Sequence, residues 1–124
     1  MKNFILEETA HSPRVEFDTE GIFIIKGRSS MVNPAEFFEP VLAWINEFAN
    51  TAPQKVELKV DMDFFNTRTA IVLHTFFKQL QKMYSAGTTI TILWYCERQD
   101  TDMIESGNDY ASLLSCPFEI IEKE

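Results

Sequence analysis

The sequence predicts an α/β protein: one domain with a mixed β-sheet, an N-terminal antiparallel hairpin and about three packed helices. Three observations predict it. Apolar and polar residues alternate through residues 14–18, and a second β-rich run follows across a glycine-containing turn, which marks a hairpin. Two later stretches switch to apolar spacings of three and four, the period of a helix with one buried face. Short β-rich runs separate and follow them, and strand–helix–strand order favours parallel neighbours joined by right-handed crossovers.

Taken in order, Phe4 to Glu7 reads as a short edge strand. Arg14-Val15-Glu16-Phe17-Asp18 has the alternation of a half-buried strand, Thr19-Glu20-Gly21 the composition of a tight turn, and Ile22 to Lys26 the second arm. Asn33-Pro34-Ala35-Glu36 predicts a helix start: Asn caps, Pro suits the first helical position, and a Glu at the third can reach back to the cap. Phe37, Val41, Leu42, Trp44, Ile45 and Phe48 supply its apolar stripe. Pro40 lacks the amide proton that an interior turn requires, so a kink is expected there, or a main helix beginning at Glu39.

Val56, Leu58 and Val60 alternate with Glu57, Lys59 and Asp61, a strand with one polar face. Phe64-Phe65-Asn66 reads as a turn, and a second helix begins at Asn66 or Thr67. Ala70, Leu73, Phe77, Leu80 and Tyr84 form its expected core stripe, with Arg68, Lys78 and Lys82 in solvent. Ala86-Gly87 is the expected stop. Thr88 to Tyr95 predicts a central strand, Asp102 to Ser115 an acidic helix weakened at Gly107, and Pro117 to Ile121 a last short strand.

The 124 residues are one domain's length, 1–124, and 45% hydrophobic residues, including 11 Phe, are enough to build a core without disulfides or metal. Cys96 and Cys116 form no CxxC unit and read as buried free thiols. Nineteen acidic residues against eleven basic give a net charge of −8, which argues against nucleic acid and against anionic membrane as partners. No apolar run approaches the length of a membrane span, and residues 1–10 lack a signal-peptide core, so a soluble, cytoplasmic protein is expected.

Catalytic chemistry finds few residues to work with. A nucleophile needs a base and a group that orients the base. The two histidines, His11 at a loop and His74 inside the second helix, fit structural places better, and the four glycines form no phosphate loop. The chain therefore reads as a non-enzyme without cofactor or metal. The alternative is a small metal-dependent enzyme using Asp61 and Asp63, two carboxylates at a strand end where α/β proteins place their sites. Glu97, Asp100, Asp102, Glu105 and Asp109 do not follow a calcium-loop pattern; they read either as a solvated helix start or as a docking face for a basic surface.

Phe64-Phe65-Asn66-Thr67-Arg68-Thr69 joins a buried strand to a helix start. On the residues alone, Asn66 or Thr67 as a plain N-cap explains it. A hydroxyl there also faces free N–H groups and the positive end of a helix dipole, with Arg68 beside it, so an added phosphate would be tolerated locally while changing the surface charge.

Ser12-Pro13-Arg14-Val15-Glu16-Phe17-Asp18, then Gly21, Gly27-Arg28-Ser29, Asn33, Phe37-Phe38-Glu39-Pro40 and Trp44 resemble the opening signature of the SiaC-like regulatory phosphoproteins of bacteria. Phe65-Asn66-Thr67 resembles that family's phosphoacceptor turn. Trp94-Tyr95, Asp102 to Tyr110 and Pro117-Phe118-Glu119 resemble its closing signature. The resemblance implies a fold like that of STAS-domain anti-sigma factor antagonists and a place in a partner-switching pathway. It implies phosphorylation of Thr67 by a protein kinase, with Thr69 the alternative acceptor, and removal by a PP2C-type phosphatase. It further implies that the unphosphorylated form binds an effector such as a diguanylate cyclase through Asn66, Thr67, Arg68 and Thr69, in control of cyclic di-GMP and biofilm. Two places depart from the family pattern: Met31-Val32 stand where Pro-Glu is usual, and Arg68 stands where a small hydroxyl residue is usual.

Overall fold

A computed structural model describes residues 1–124. Its elements run β1 (Phe4–Leu6), β2 (Arg14–Phe17), β3 (Ile22–Ser29), α1 (Pro34–Ala49), β4 (Lys55–Phe65), α2 (Thr67–Ser85), β5 (Thr89–Glu97), α3 (Thr101–Leu113) and β6 (Phe118–Lys123). The six strands form one sheet in the order of the chain. β1, β2 and β3 pair antiparallel; β3 to β6 pair parallel, with Ile25 opposite Val60, Val60 opposite Trp94, and Trp94 opposite Ile120.

Chain-order strands have a consequence for the layers. Successive right-handed crossovers that always step in the same direction return on the same side of a sheet. Burial follows that rule: Val56, Leu58, Val60 and Met62 of β4 are buried, whereas Glu57, Lys59 and Asp61 on the opposite face are only partly covered. Ile90, Ile92, Trp94 and Cys96 of β5 repeat the pattern. The architecture is thus two layers, three helices on one face and an open second face carrying ion pairs. Arg14 Nη1 lies 2.6 Å from Glu7 and its Nε 3.2 Å from Glu16.

One cluster of 26 buried residues makes a single core. Aromatic rings fill it in contact: Phe17 stacks on Phe23 at 4.4 Å and on Phe76 at 5.8 Å. The polar edges of the two indoles are satisfied, Trp44 Nε1 donating to the Lys2 carbonyl (2.9 Å) and Trp94 Nε1 to the Met103 carbonyl (3.0 Å). Leu73, Phe77 and Leu80 pack inward from α2 as their spacing predicts.

Several boundaries differ from the expectation. α1 runs unbroken through Pro40, with neither a kink-separated first turn nor a start at Glu39. Pro40 and Glu36 are both exposed, so the carbonyl that loses its partner faces solvent. Asn33 gives no side-chain cap to α1; its Nδ2 donates to Glu36 Oε2 instead (3.2 Å), and Phe38, not Phe37, is the buried ring of the first turn. In α2 the buried stripe takes in Thr69, Val72, Phe76 and Met83, while Tyr84 is turned out.

β3 continues past Lys26 to Ser29, and Phe64-Phe65 belong to β4 rather than to a turn, because the ends of β3 and β4 pair with each other. α3 ends at Leu113. Its Gly107 is a packing requirement rather than a weak point: a Cβ there would lie 2.6 Å from both Ile120 Cδ1 and Trp94 Cδ1. Gly21 closes the hairpin at φ 94°, against the carbonyl of Lys55.

Cys96 and Cys116 are free and buried. Burial pushes both thiols up from their ordinary pKa.

Candidate functional site

The site begins with a slip in the sheet. β3 and β4 stay in register as far as Gly27 opposite Met62; beyond it Arg28 faces Phe64 and Ser29 faces Phe65, so Asp63 is the extra residue of a bulge. The slip reverses the alternation. Phe65 turns back to the core, edge-on to Trp94 at 6.0 Å, and Phe64 is left 44% exposed with the Arg28 guanidinium 5.4 Å above its ring. Asn66 N–H then donates to the Ser29 carbonyl (3.1 Å), fixing where the chain leaves the sheet and enters α2.

Asn66 is the N-cap of α2, in extended conformation, and uses both ends of its side-chain amide. Its Oδ1 accepts from Thr69 N–H (2.9 Å) and from Thr69 Oγ1 (2.7 Å); its Nδ2 donates to the Met31 carbonyl (2.8 Å). A threonine hydroxyl has one proton. Since that proton goes to Asn66, the 2.6 Å contact between Thr69 Oγ1 and Ser29 Oγ has Ser29 as donor. Ser29 and Thr69 are both fully buried, so the chain Ser29–Thr69–Asn66 ties β3 to α2 from inside. Arg68 ties the same helix end to the β3–α1 connection from outside, Nη1 donating to the Val32 carbonyl (2.9 Å).

Thr67 is the first residue of α2; it is exposed, and its hydroxyl enters none of these bonds. It borders a surface depression of ≈ 370 Å³ lined by Ser30, Met31, Val32, Asn66, Thr67 and Arg68. The N–H groups of Thr67 and Arg68 have no carbonyl within the helix to bond, because the ladder starts with Ala70 N–H to the Asn66 carbonyl (3.0 Å). An anionic group on the Thr67 oxygen would therefore meet two open amide donors, the positive helix end and a nearby guanidinium, without disturbing the core.

The structure thus brings Asn66, Thr67 and Arg68 together at one surface and sends Thr69 inward. Thr69 offers no surface to a partner, and a kinase reaches its hydroxyl only if the helix start opens. Ser29, Met31 and Val32 complete the site and were not legible as members of it. Their positions are far from 66–69 in sequence, and the strand expected over Ile22 to Lys26 stops short of Ser29, so its inward position gave no local signal.

The residues of the metal-enzyme alternative are engaged otherwise. Lys123 Nζ contacts Asp61 and lies 3.9 Å from Glu97; its pKa is raised, chiefly by the hydrogen bond to Asp61. Asp63 is exposed at a separate cleft with Asp100 and Asp102, and no three acidic, His or Cys side chains converge. The two carboxylates do not present the converging oxygens a divalent ion requires. Asp100 caps α3, Oδ1 accepting from Met103 N–H (3.0 Å). His11 Nδ1 lies 3.1 Å from Ser30 Oγ, both at the surface, a pairing the sequence did not suggest; no carboxylate holds the other ring nitrogen. No helix is long and apolar enough to cross a membrane.

A family model described as SiaC family regulatory phosphoprotein matches residues 6–123. A protein of Pseudomonas aeruginosa (strain UCBPP-PA14) is 22% identical over 121 residues, spanning 97% of this chain and 96% of its own. Among solved structures, SiaC of Pseudomonas aeruginosa superposes with a TM-score of 0.91 at 20% identity, covering 99% of this chain and 100% of its own. The crystal structure of the diguanylate cyclase SiaD in complex with its activator SiaC, from the same organism, gives 0.91 at 21% identity over 97% of this chain and 99% of that one. At these identities the likeness of structures establishes the fold, a mixed six-stranded sheet with three helices.

Proposed function

Because the chain belongs to the SiaC family of regulatory phosphoproteins, we propose that it is a non-catalytic switch protein of the cytoplasm whose phosphoacceptor is Thr67. The chain 1–124 acts as one SiaC-like regulatory domain. A separate protein kinase adds the phosphate and a PP2C-type phosphatase removes it. The unphosphorylated form binds an effector, and a diguanylate cyclase is the effector this reading favours, with control of cyclic di-GMP and biofilm as the outcome. The complex that SiaC, a protein of the same fold, forms with the diguanylate cyclase SiaD supports that partner class.

The observation that carries the reading is the contrast between two neighbouring hydroxyls. Thr67 is exposed at the first position of α2 and takes part in no bond of the cap network; Thr69 is 0% exposed and bonded on both sides. Phosphate on Thr67 adds roughly −1.5 to −2 charge where the helix end welcomes it, worth about 1–2 kcal/mol in favour of the fold. The same dianion under a docked partner loses the rest of its water, and the helix end and Arg68 offset only part of its charge, which leaves a cost of several kcal/mol. The interface effect is the larger, so the modification acts on binding and leaves the fold intact.

The test is peptide mapping by mass spectrometry after treatment with the kinase of the native host. Phosphate on Thr67, absent from Thr67→Ala, is the expected result. Phosphate on Thr69 or Ser30 with Thr67 unmodified would overturn the assignment.

A further inference from the structure

α2 carries three of the chain's eleven basic residues, Arg68, Lys78 and Lys82, and none of its nineteen acidic ones. Thr67, Ile71, His74 and Lys78 follow one another at spacings of three and four, so they stand in one row along the helix. The row lies opposite the buried stripe of Thr69, Leu73, Phe76 and Leu80. On this row Ile71 is 66% exposed. A β-branched side chain there lowers helix propensity and leaves two-thirds of its surface in water. Beside the row, Val32 is 83% exposed at the rim of the depression next to Thr67, held there by the Arg68 bond to its carbonyl. An acidic chain thus presents one cationic helix face, with two apolar side chains standing free on it around the phosphoacceptor.

We propose that this face, with Ile71 and Val32 as its apolar anchors, docks an acidic segment of the effector that carries its own apolar side chains. The inference rests on the switch reading above and names the chemistry of the partner at that same site. Charge complementarity selects the occupant: a basic segment would meet Arg68, Lys78 and Lys82 with like charge and the rest of the molecule only as bulk attraction. Burying an exposed Ile beside neutral Thr67 excludes water from the acceptor, which is the condition under which an added phosphate acts most strongly. Phosphorylation then reverses the sign of the face at one end and repels an acidic segment.

The open face of the sheet is the competing surface, and there Arg14 is already paired with Glu7 and Glu16, and Lys123 with Asp61. The two are separated by photocrosslinking in host cells, with p-benzoylphenylalanine placed at Ile71 or Lys78 and, for comparison, at Lys59 or Leu93. Crosslinks from positions 71 and 78 to a segment rich in Asp and Glu are expected. The crosslinked protein, once purified, should bind Ile71→Asp and Lys78→Glu at least about tenfold more weakly than wild type, and bind wild type more weakly as salt rises. Both variants change exposed positions, and unchanged melting temperatures verify their folds. Crosslinks from Lys59 or Leu93 alone, a basic segment at Ile71, no crosslink from any position, or undiminished binding by both variants would overturn the proposal. If the acidic partner docks as described and Thr67→Asp binds it as wild type does, the docking face stands and the phospho-switch reading fails.

Discussion

Asn66→Ala is the perturbation that reads most directly on how the site is held. The substitution removes three hydrogen bonds, from Thr69 N–H at 2.9 Å, from Thr69 Oγ1 at 2.7 Å and to the Met31 carbonyl at 2.8 Å. Loss of an Asn cap costs about 1 kcal/mol. Thr69 Oγ1 is buried and keeps Ser29 as donor but no longer has an acceptor for its own proton, which costs about 1 kcal/mol more. Met31 is only half-buried, so its carbonyl finds water and adds little. The expected loss is about 2 kcal/mol, which for a chain of this length lowers the melting temperature by about 8 °C. Asn66→Asp keeps both acceptor bonds and sets a negative charge at the helix start, losing only the bond to the Met31 carbonyl, so it should lose well under half as much. Urea unfolding followed by far-UV circular dichroism measures both variants. A loss under about 0.5 kcal/mol for Asn66→Ala, or equal losses for Ala and Asp, would refute the network as the element that fixes the turn.

Gly107→Ala should destabilise by about 1–2 kcal/mol, despite the better helix propensity of Ala, because the new Cβ meets Trp94 and Ile120 at 2.6 Å; denaturant unfolding checks it, and a stabilised variant would contradict the packing. Pro40→Ala should stabilise by about 1 kcal/mol, since Pro40 is exposed inside a continuous helix and Ala restores the amide donor. Tyr110 donates to the Ala70 carbonyl (2.8 Å), and burial pushes its pKa up to about 12. The folded state therefore holds the phenol proton after the unfolded chain has released its own near the ordinary value of about 10. That contribution is whole below pH ~10 and is lost as pH rises toward ~12, by up to about 2 kcal/mol. Ultraviolet titration should show a last phenol step near the upper value, absent from Tyr110→Phe.

Much of this was legible where the signal is local. Asn66 followed by Thr67 at a strand-to-helix junction identifies the cap and the exposed hydroxyl, because a cap is a contact between residues three apart. The apolar alternation of Val56, Leu58 and Val60 likewise fixes which face of β4 is buried. What escaped depends on pairing across the fold. Phe64-Phe65 look like a turn until Arg28 and Ser29 are seen to pair with them past a bulge. Thr69 looks like a spare acceptor because its polarity hides its place in the buried stripe, where Ser29, 40 residues away, joins Asn66 in satisfying it. Asp61 looks like a metal ligand until Lys123, on another strand, is found beside it. Gly107 reads as a helix breaker because its reason lies in Trp94 and Ile120.

The central claim is that phosphate on Thr67 controls binding and not folding. Calorimetric titration of the purified effector with wild type, with Thr67→Ala and with Thr67→Asp tests it most directly, alongside melting curves of the same three proteins. Thr67→Ala should bind but resist phosphorylation. Thr67→Asp should melt within about 1 kcal/mol of wild type yet bind at least ~30-fold more weakly. Equal binding by Thr67→Asp and wild type, or weaker binding accompanied by an equivalent loss of stability, would contradict it.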